Sequence, residues 1–391
     1  MSKPTDFSSE GILVLTGIIT GTLAVMVLTI LPGLVGMFKQ AYGFNNAELG
    51  YLSSTSLAGM TLGSALSARL VHSVGIRKGT IVGLLAAATA NVGATFSIGF
   101  WSLLAGLFFA GFGGGVLVTV CYVVLGRSRN TERNFSYYII CQLVLGAAAL
   151  RWLPSLPPGI ALHGAFAFLA VSFAATLCLA RYVPSDDDRP LRSGGARAPL
   201  VAWIGLAASF VYFIAIGAVW AYFEVIGEAA GVSQQAVASG LAVSSLVALL
   251  GPISVAILGT RFGRATPYFI GICIALVSLF LLYSSLTSAR FVCAACLFNV
   301  SWNFCTPYQQ ATVAIADPSG RVIGWTASAS LAGFAIGPLI AAFALNRTGF
   351  PGVLWVSATF CILSFAGLTP IWATQNSSIA GGFPLGSVTR K

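Results

Sequence analysis

Asn299, Asn303, Thr306 and Gln310 stand 4, 3 and 4 residues apart inside an otherwise apolar run. On an α-helix that spacing puts all four on one face. Amides both donate and accept hydrogen bonds, so such a face suits a polar or weakly charged organic solute. Trp302 and Gln309 flank the stripe, Trp302 offering a platform for an aromatic or apolar part, and Pro307 breaks the helix beside it. A second helical stripe carries Phe213, Gly217, Trp220 and Glu224, with Tyr212 and Tyr222 adjacent. Glu224 is the one acid inside an apolar segment, where a protonatable carboxylate can carry coupling protons. Its other reading is a cap at the outer end of its helix, solvated together with Glu228. The same face could equally serve hydrogen bonding between helices. Catalytic chemistry finds no such constellation: two histidines, His72 and His163, are far apart and no phosphate-binding G-x-x-x-x-G-K-[ST] run occurs. Neither an enzyme nor an ATP-driven pump is expected, and no cofactor.

The segments that must position these groups are set by composition. Hydrophobic residues make up 57% of 391 positions and charged residues only 8%, with mean hydropathy +0.90. A water-facing surface needs roughly 25% charged residues, so this surface faces lipid. A span takes roughly 20 residues to cross a hydrocarbon core of about 30 Å. Long apolar runs such as 200–223, without alternation, make the spans helices rather than barrel strands. Twelve are expected, near 12–37, 47–71, 79–98, 101–126, 135–153 and 159–180, then 200–223, 237–258, 267–286, 290–313, 322–345 and 352–373. The first run is too long for a signal-peptide core and lacks a basic flank, so no cleavable signal is expected.

The net charge of +10 would suit nucleic acid, but its distribution speaks for topology. With the N-terminus inside, sixteen of the twenty Lys and Arg lie on one side; only Lys39, Arg151, Arg290 and Arg347 lie on the other. Positive charge in short loops fixes orientation, so both termini are expected in the cytoplasm of a cell inner membrane. Eight cysteines are scattered, and the single C-x-x-C at Cys293 and Cys296 lies within an apolar helix, where small packing residues are expected rather than a metal site.

The polar stretch Pro184 to Pro199, with Asp186 to Asp188 and a Ser-Gly-Gly tract, reads as a flexible linker. It divides the chain into a six-span bundle over 1–183, a linker over 184–199, a second six-span bundle over 200–373 and a tail over 374–391. Two loops mark an internal repeat. Gly75 is followed by Arg77 and Lys78 after the second span, and Arg261, Gly263 and Arg264 follow the eighth. A glycine accepting positive φ, flanked by cations that meet helix C-termini and anionic lipid, suits a tight loop between antiparallel helices.

These loops make the chain similar to the major facilitator superfamily, which carries a G-x-x-x-D-R-x-G-R-R-type motif between helices 2 and 3 and a degenerate copy between 8 and 9. Thr260 and His72 stand where the family has acids, and Ser73 where it has arginine. The resemblance implies an all-α polytopic membrane protein, twelve transmembrane helices in two pseudo-symmetric six-helix bundles. In that fold helices 1, 4, 7 and 10 line a central cavity. It therefore implies a solute site at Asn299, Trp302, Asn303, Thr306, Gln309, Gln310, Trp220, Tyr222 and Tyr122, with proton coupling at Glu224. It also gives Gly75, Arg77, Lys78, Arg261, Gly263 and Arg264 a conformational role. Thr16 and Thr20 on the first span and Thr119 on the fourth are lesser candidates. The drug-antiporter pattern G-x-x-x-G-P-x-x-G-G is absent from the fifth span, while Gly333, Gly337-Pro338 and Gly251-Pro252 offer close helix contacts, for rocking or for simple packing. No Arg or Lys falls mid-span in helices 1, 4, 7 or 10, so a strongly anionic solute lacks a counter-charge. The expected protein is a monomeric, proton-coupled secondary transporter of a small organic solute in the lipid bilayer, with no nucleic-acid partner and no metal, working in uptake. Efflux antiport, or a non-transporting relative used in assembly or sensing, are the alternatives.

Overall fold

Lipid offers no hydrogen-bond partner, so each spanning segment must satisfy its own backbone. The computed structural model describes residues 7–30, 34, 37, 38, 41–44, 46–152, 158–183, 198–283, 286–317 and 321–380. Among the described residues twelve principal helices follow one another. The first six are α1 (Phe7–Ala24), α2 (Asn46–Val74), α3 (Ile76–Thr95), α4 (Phe100–Gly126), α5 (Thr131–Trp152) and α6 (Pro158–Thr176). The second six are α7 (Leu200–Trp220), α8 (Gln234–Val247, resumed as Leu250–Leu258), α9 (Ala265–Tyr283), α10 (Ser288–Ala316), α11 (Arg321–Thr348) and α12 (Phe350–Ala380). Short turns of helix at Met26–Thr29 and Phe223–Ala229 and a 3-10 segment at Leu177–Tyr182 extend α1, α7 and α6. The linker residues 184–197 and the tail residues 381–391 lie outside the described residues, as do the side chains of His72, Arg151 and Glu224.

Each helix falls where an apolar run is expected, but the ends differ. α2 runs on to Val74 and α12 to Ala380, beyond 71 and 373, because helical hydrogen bonding continues through polar residues that an apolar run excludes. The first span is broken at Val25, and α7 stops at Trp220, three residues early. Among the described residues seven helices, α4, α6, α7, α8, α9, α11 and α12, are apolar and long enough to cross a membrane unaided. α1, α2, α3, α5 and α10 fall short, and of these α2, α5 and α10 also meet the other half.

Large apolar side chains such as Leu15, Phe109, Val171, Phe280, Leu339 and Phe343 are exposed, as a lipid-facing surface requires. The interior forms two large clusters and a small third at Ala202, Val313 and Val322. One gathers residues of α1 to α6, and is joined by Ala314, Ile323 and Ala327 from α10 and α11. The other gathers residues of α7 to α12. Among the described residues the main approaches between the halves pair α2 with α11, α4 with α10 and α11, and α5 with α8 and α10. These approaches cluster at the end that carries the loops at Gly75 and Gly263, the basic end of the molecule.

The glycine-proline breaks lie within the second bundle, not between bundles. At Gly337 an added Cβ would sit 2.5 Å from the Ile214 carbonyl and 2.6 Å from the Ala218 nitrogen, so α7 and α11 touch backbone to backbone. At Gly251 it would lie 2.7 Å from the Val300 carbonyl, closing α8 onto α10. Backbone cannot rotate away as a side chain can. Gly337→Ala should therefore cost about 1–3 kcal/mol by overpacking, whereas Gly164→Ala, which meets nothing within 4 Å, should be neutral. Thermal unfolding of the two purified variants checks this, and equal midpoints would contradict the packing assignment.

Candidate functional site

α10 positions most of the candidate residues, and the structure divides its polar side chains among three directions. Asn299 is buried and donates to the Ser244 hydroxyl of α8 at 3.0 Å and to the Ala295 carbonyl at 3.2 Å. Gln309 is fully buried within its own bundle, donating to the Tyr268 hydroxyl at 3.0 Å and the Ser364 hydroxyl at 3.3 Å. Gln310, about 100° around the helix from its neighbour, points to the other half. Its Nε2 donates to the Tyr122 hydroxyl of α4 at 2.8 Å. Thr306 is buried and returns its hydroxyl to the Trp302 carbonyl at 2.8 Å. Asn303 is half-buried and donates to the Asn299 carbonyl at 2.9 Å.

Trp302 lies midway along α10, fourteen residues from either end. Its ring stacks on Phe334 of α11 at 5.7 Å and 26°, and meets Trp220 of α7 edge-on at 5.8 Å and 63°. All three rings are half-buried, so each keeps free surface. Tyr222 is also half-buried, with its hydroxyl 3.5 Å from the Pro338 carbonyl. Asn303, Thr306 and Gln310 thus descend one face of α10 from this aromatic group toward the basic end. The backbone of Glu224 lies in the short helix after α7; its side chain lies outside the described residues.

Below this face the halves are fastened together. Arg264, from the loop after α8, pairs with Glu132 at the start of α5. The Glu132 side chain is 6% exposed and that of Arg264 21%, so the pair is largely shielded from water. Arg133 donates to the Ala256 carbonyl of α8 at 3.1 Å. On the pseudo-symmetric side, Ser328 of α11 donates to Ser64 of α2 at 2.9 Å, and Ser64 lies 2.8 Å from the Thr119 hydroxyl. Arg69 lies over the Trp325 ring at 5.5 Å, a cation–π contact.

The two motif loops have the backbone expected of them. Gly75 has φ +91° and Gly263 φ +69°, the left-handed region that glycine enters freely. Arg77 is half-buried, Lys78 and Arg261 are exposed, and of the six loop residues Arg264 is the one in an ion pair with the other half. The acid absent from the loop at Thr260 is thus supplied by Glu132, which the sequence reading passed over as a residue at a span edge. Ser64 and Ser328 are isolated hydroxyls in apolar stretches and carry no signal in the sequence. Thr16 and Thr20 return their hydroxyls to their own helix, at Ile12 and Thr16 carbonyls, both at 2.8 Å. His163 Nδ1 lies 2.6 Å from the Thr95 carbonyl, which can only accept, so that nitrogen carries the proton.

The Major Facilitator Superfamily family model matches residues 14–330. An uncharacterized MFS-type transporter of Enterobacter sp. (strain 638) is 29% identical over 155 residues, which is 38% of this chain and 40% of that protein's length. Among solved structures, the human organic anion transporter MFSD10 (TETRAN) superposes with a TM-score of 0.75 at 16% identity, covering 94% of this chain and 100% of that one. The proton:xylose symporter XylE gives 0.74 at 13% identity, covering 93% and 95%. At these identities the superpositions speak for the fold, and the fold they share is the two-bundle, twelve-helix one described above. The chain belongs to the Major Facilitator Superfamily.

Proposed function

We propose that this superfamily transporter carries a small organic solute by alternating access, with a proton as the coupling ion and uptake as the direction. The observation that carries the reading is the half-buried Trp220–Trp302–Phe334 group set directly above a fastened contact between the halves. A transporter needs a site between its bundles and a closure on one side of it that can be undone. The charge split supports a cytoplasmic basic end in a cell inner membrane, and on that reading the conformation described is closed to the cytoplasm. The division into bundles 1–183 and 200–373 about a linker 184–199 and action as a monomer belong to the same proposal. The titles of two fold relatives, an organic anion transporter and a proton:xylose symporter, support organic solutes and proton coupling as precedents.

Solute contact is assigned to the residues that keep free surface or face the other half: Trp220, Tyr222, Trp302, Asn303, Gln310 and Tyr122, with Thr306 between them. Asn299 and Gln309 support this face from behind. A stabilisation screen of purified protein against aromatic acids, amino acids, sugars and drugs identifies the solute class. Trp302→Ala should then weaken the stabilising solute at least about tenfold, roughly 1.4 kcal/mol. An unchanged dissociation constant would remove the aromatic group from the site.

Glu224 is the proposed proton carrier. In proteoliposomes, Glu224→Gln should abolish accumulation driven by a pH gradient while solute binding persists; intact pH-driven accumulation would exclude it. The closure is tested separately. Removing one member of a buried ion pair leaves the other charge unpaired, at a cost of about 3–5 kcal/mol. Glu132→Gln should therefore open the basic end. The readout is maleimide labelling of Ala327→Cys, a fully buried position in the shared core, in a background with the exposed Cys141, Cys178 and Cys293 changed to Ser. Labelling should rise several-fold over the same background with Glu132 intact, and equal labelling would show that the pair does not hold the closure.

A further inference from the structure

Gln310 is 1% exposed, and only half of its amide is used. Nε2 donates to Tyr122, but the carbonyl oxygen Oε1 is buried and has no hydrogen-bond partner. A buried acceptor left unpaired carries an energetic penalty, and it persists only where something else recommends it. Gln309 also has an open Oε1, but that amide is enclosed by Tyr268 and Ser364 inside its own bundle. Gln310 differs in lying at the junction of the halves. It is seven residues, about 10 Å, below Asn303 and eight residues, about 12 Å, below Trp302 on α10.

The charges around this face narrow the solute further. Trp220, Tyr222, Trp302, Phe334, Asn303, Thr306, Gln310 and Tyr122 contain no ionised group. At the closure Glu132 and Arg264 are paired with each other, and Arg127 and Asp317, at the lower ends of α4 and α10, interact electrostatically with one another. With Glu224 protonated, as the carrier role proposed above has it, a charged solute would be desolvated here with no counter-charge, which is costly. A neutral group that offers an N–H or O–H to Oε1 relieves the open acceptor instead. The wall above it is flat and aromatic, which favours a planar partner.

We infer that the solute is uncharged, planar and a hydrogen-bond donor, and that Gln310 is the residue that selects it, through the open Oε1. The inference rests on the solute site proposed above and names its chemical class. Trp302 and Phe334 hold the ring without distinguishing one planar solute from another. Gln310 distinguishes them, and Tyr122 is a positioning residue that fixes the amide with its oxygen free.

Four probes that share one ring separate these features: benzamide (neutral donor), N,N-dimethylbenzamide (neutral, acceptor only), benzoate and benzylammonium. Their binding to the purified full-length chain is read by quenching of tryptophan fluorescence and by calorimetry. Benzamide should bind at least tenfold more tightly than each of the other three. Gln310→Met, similar in shape but without the amide, should abolish that preference while retaining weak binding of the ring. Tyr122→Phe, which loses the same bond between the halves and frees the amide to turn, should keep a reduced preference for benzamide, between that of the unaltered chain and that of Gln310→Met, and it separates selectivity from any loss of stability. Tightest binding by a charged probe or by the dimethyl amide, or a tenfold preference surviving in Gln310→Met, overturns the assignment of Gln310. Failure of all four probes to bind saturably overturns the aromatic site itself, and with it the reading on which this inference rests.

Discussion

Inside a bilayer a polar group must find its partner within the protein, and that constraint orders the rest of the molecule. Backbone groups meet it by forming helices. Hydroxyls meet it by bonding back one turn, as Thr16, Thr20 and Thr306 do. What remains are side chains too long or too strongly polar to be satisfied on their own helix. These collect where helices face one another, as Ser64 with Ser328, Glu132 with Arg264 and Gln310 with Tyr122 do between the bundles. The same pressure that excludes Ser, Asn and Gln from the lipid face concentrates them at the only surface that has to open.

The pseudo-symmetry of the fold gives this surface two matching sides with different chemistry. α5 meets α8 and α10 through Glu132, Arg264 and Arg133, by ion pair and charged donor. α2 and α4 meet α11 and α10 through hydroxyls, an amide–phenol bond and a cation over a ring. The loop glycines, Gly75 and Gly263, are equivalent in backbone, and both follow a helix that reaches across to the other half. The loss of the loop acids at His72 and Thr260 therefore does not leave the second loop without a carboxylate. A carboxylate in the first turn of α5 does the pairing, which ties the ion pair to the relative position of the bundles rather than to the loop alone.

Much of this was legible in the residues. The twelve apolar runs, the glycines with their cations, and the amide stripe of α10 are local patterns, and local patterns survive folding. The 4, 3, 4 spacing placed Asn299, Asn303, Thr306 and Gln310 on one face, and the helix confirms it as one face. It could not divide that face by depth. Asn299 is covered because α8 leans onto α10 at Gly251, a contact that only the packing of two distant segments creates. Gln309 and Gln310 are alike in the sequence, yet one faces Tyr268 and the other Tyr122. Glu132 was hidden for a related reason. At a span edge an acid looks solvated, and burial arrives only when the opposite bundle closes over it.

The closure must also be weak enough to be undone by a small molecule. Reversing a two-state equilibrium from about 1:99 to 99:1 takes roughly 5.5 kcal/mol of differential binding, more than a few contacts with one solute supply with ease. A large apolar interface at the basic end would exceed that and lock the protein. The contact here combines polar links with an apolar centre at Ala314, Ile323 and Ala327. Each polar link exchanges its partner for water when the halves part, so its net worth is of the order of 1 kcal/mol. The shielded ion pair is the exception, because its two members are held out of water in the closed form and regain hydration in the open one. Polar fastening therefore fits a closure that must be specific in register and modest in strength. An unpaired amide oxygen at its upper edge fits as well, since it leaves the empty closed form slightly short of its best energy.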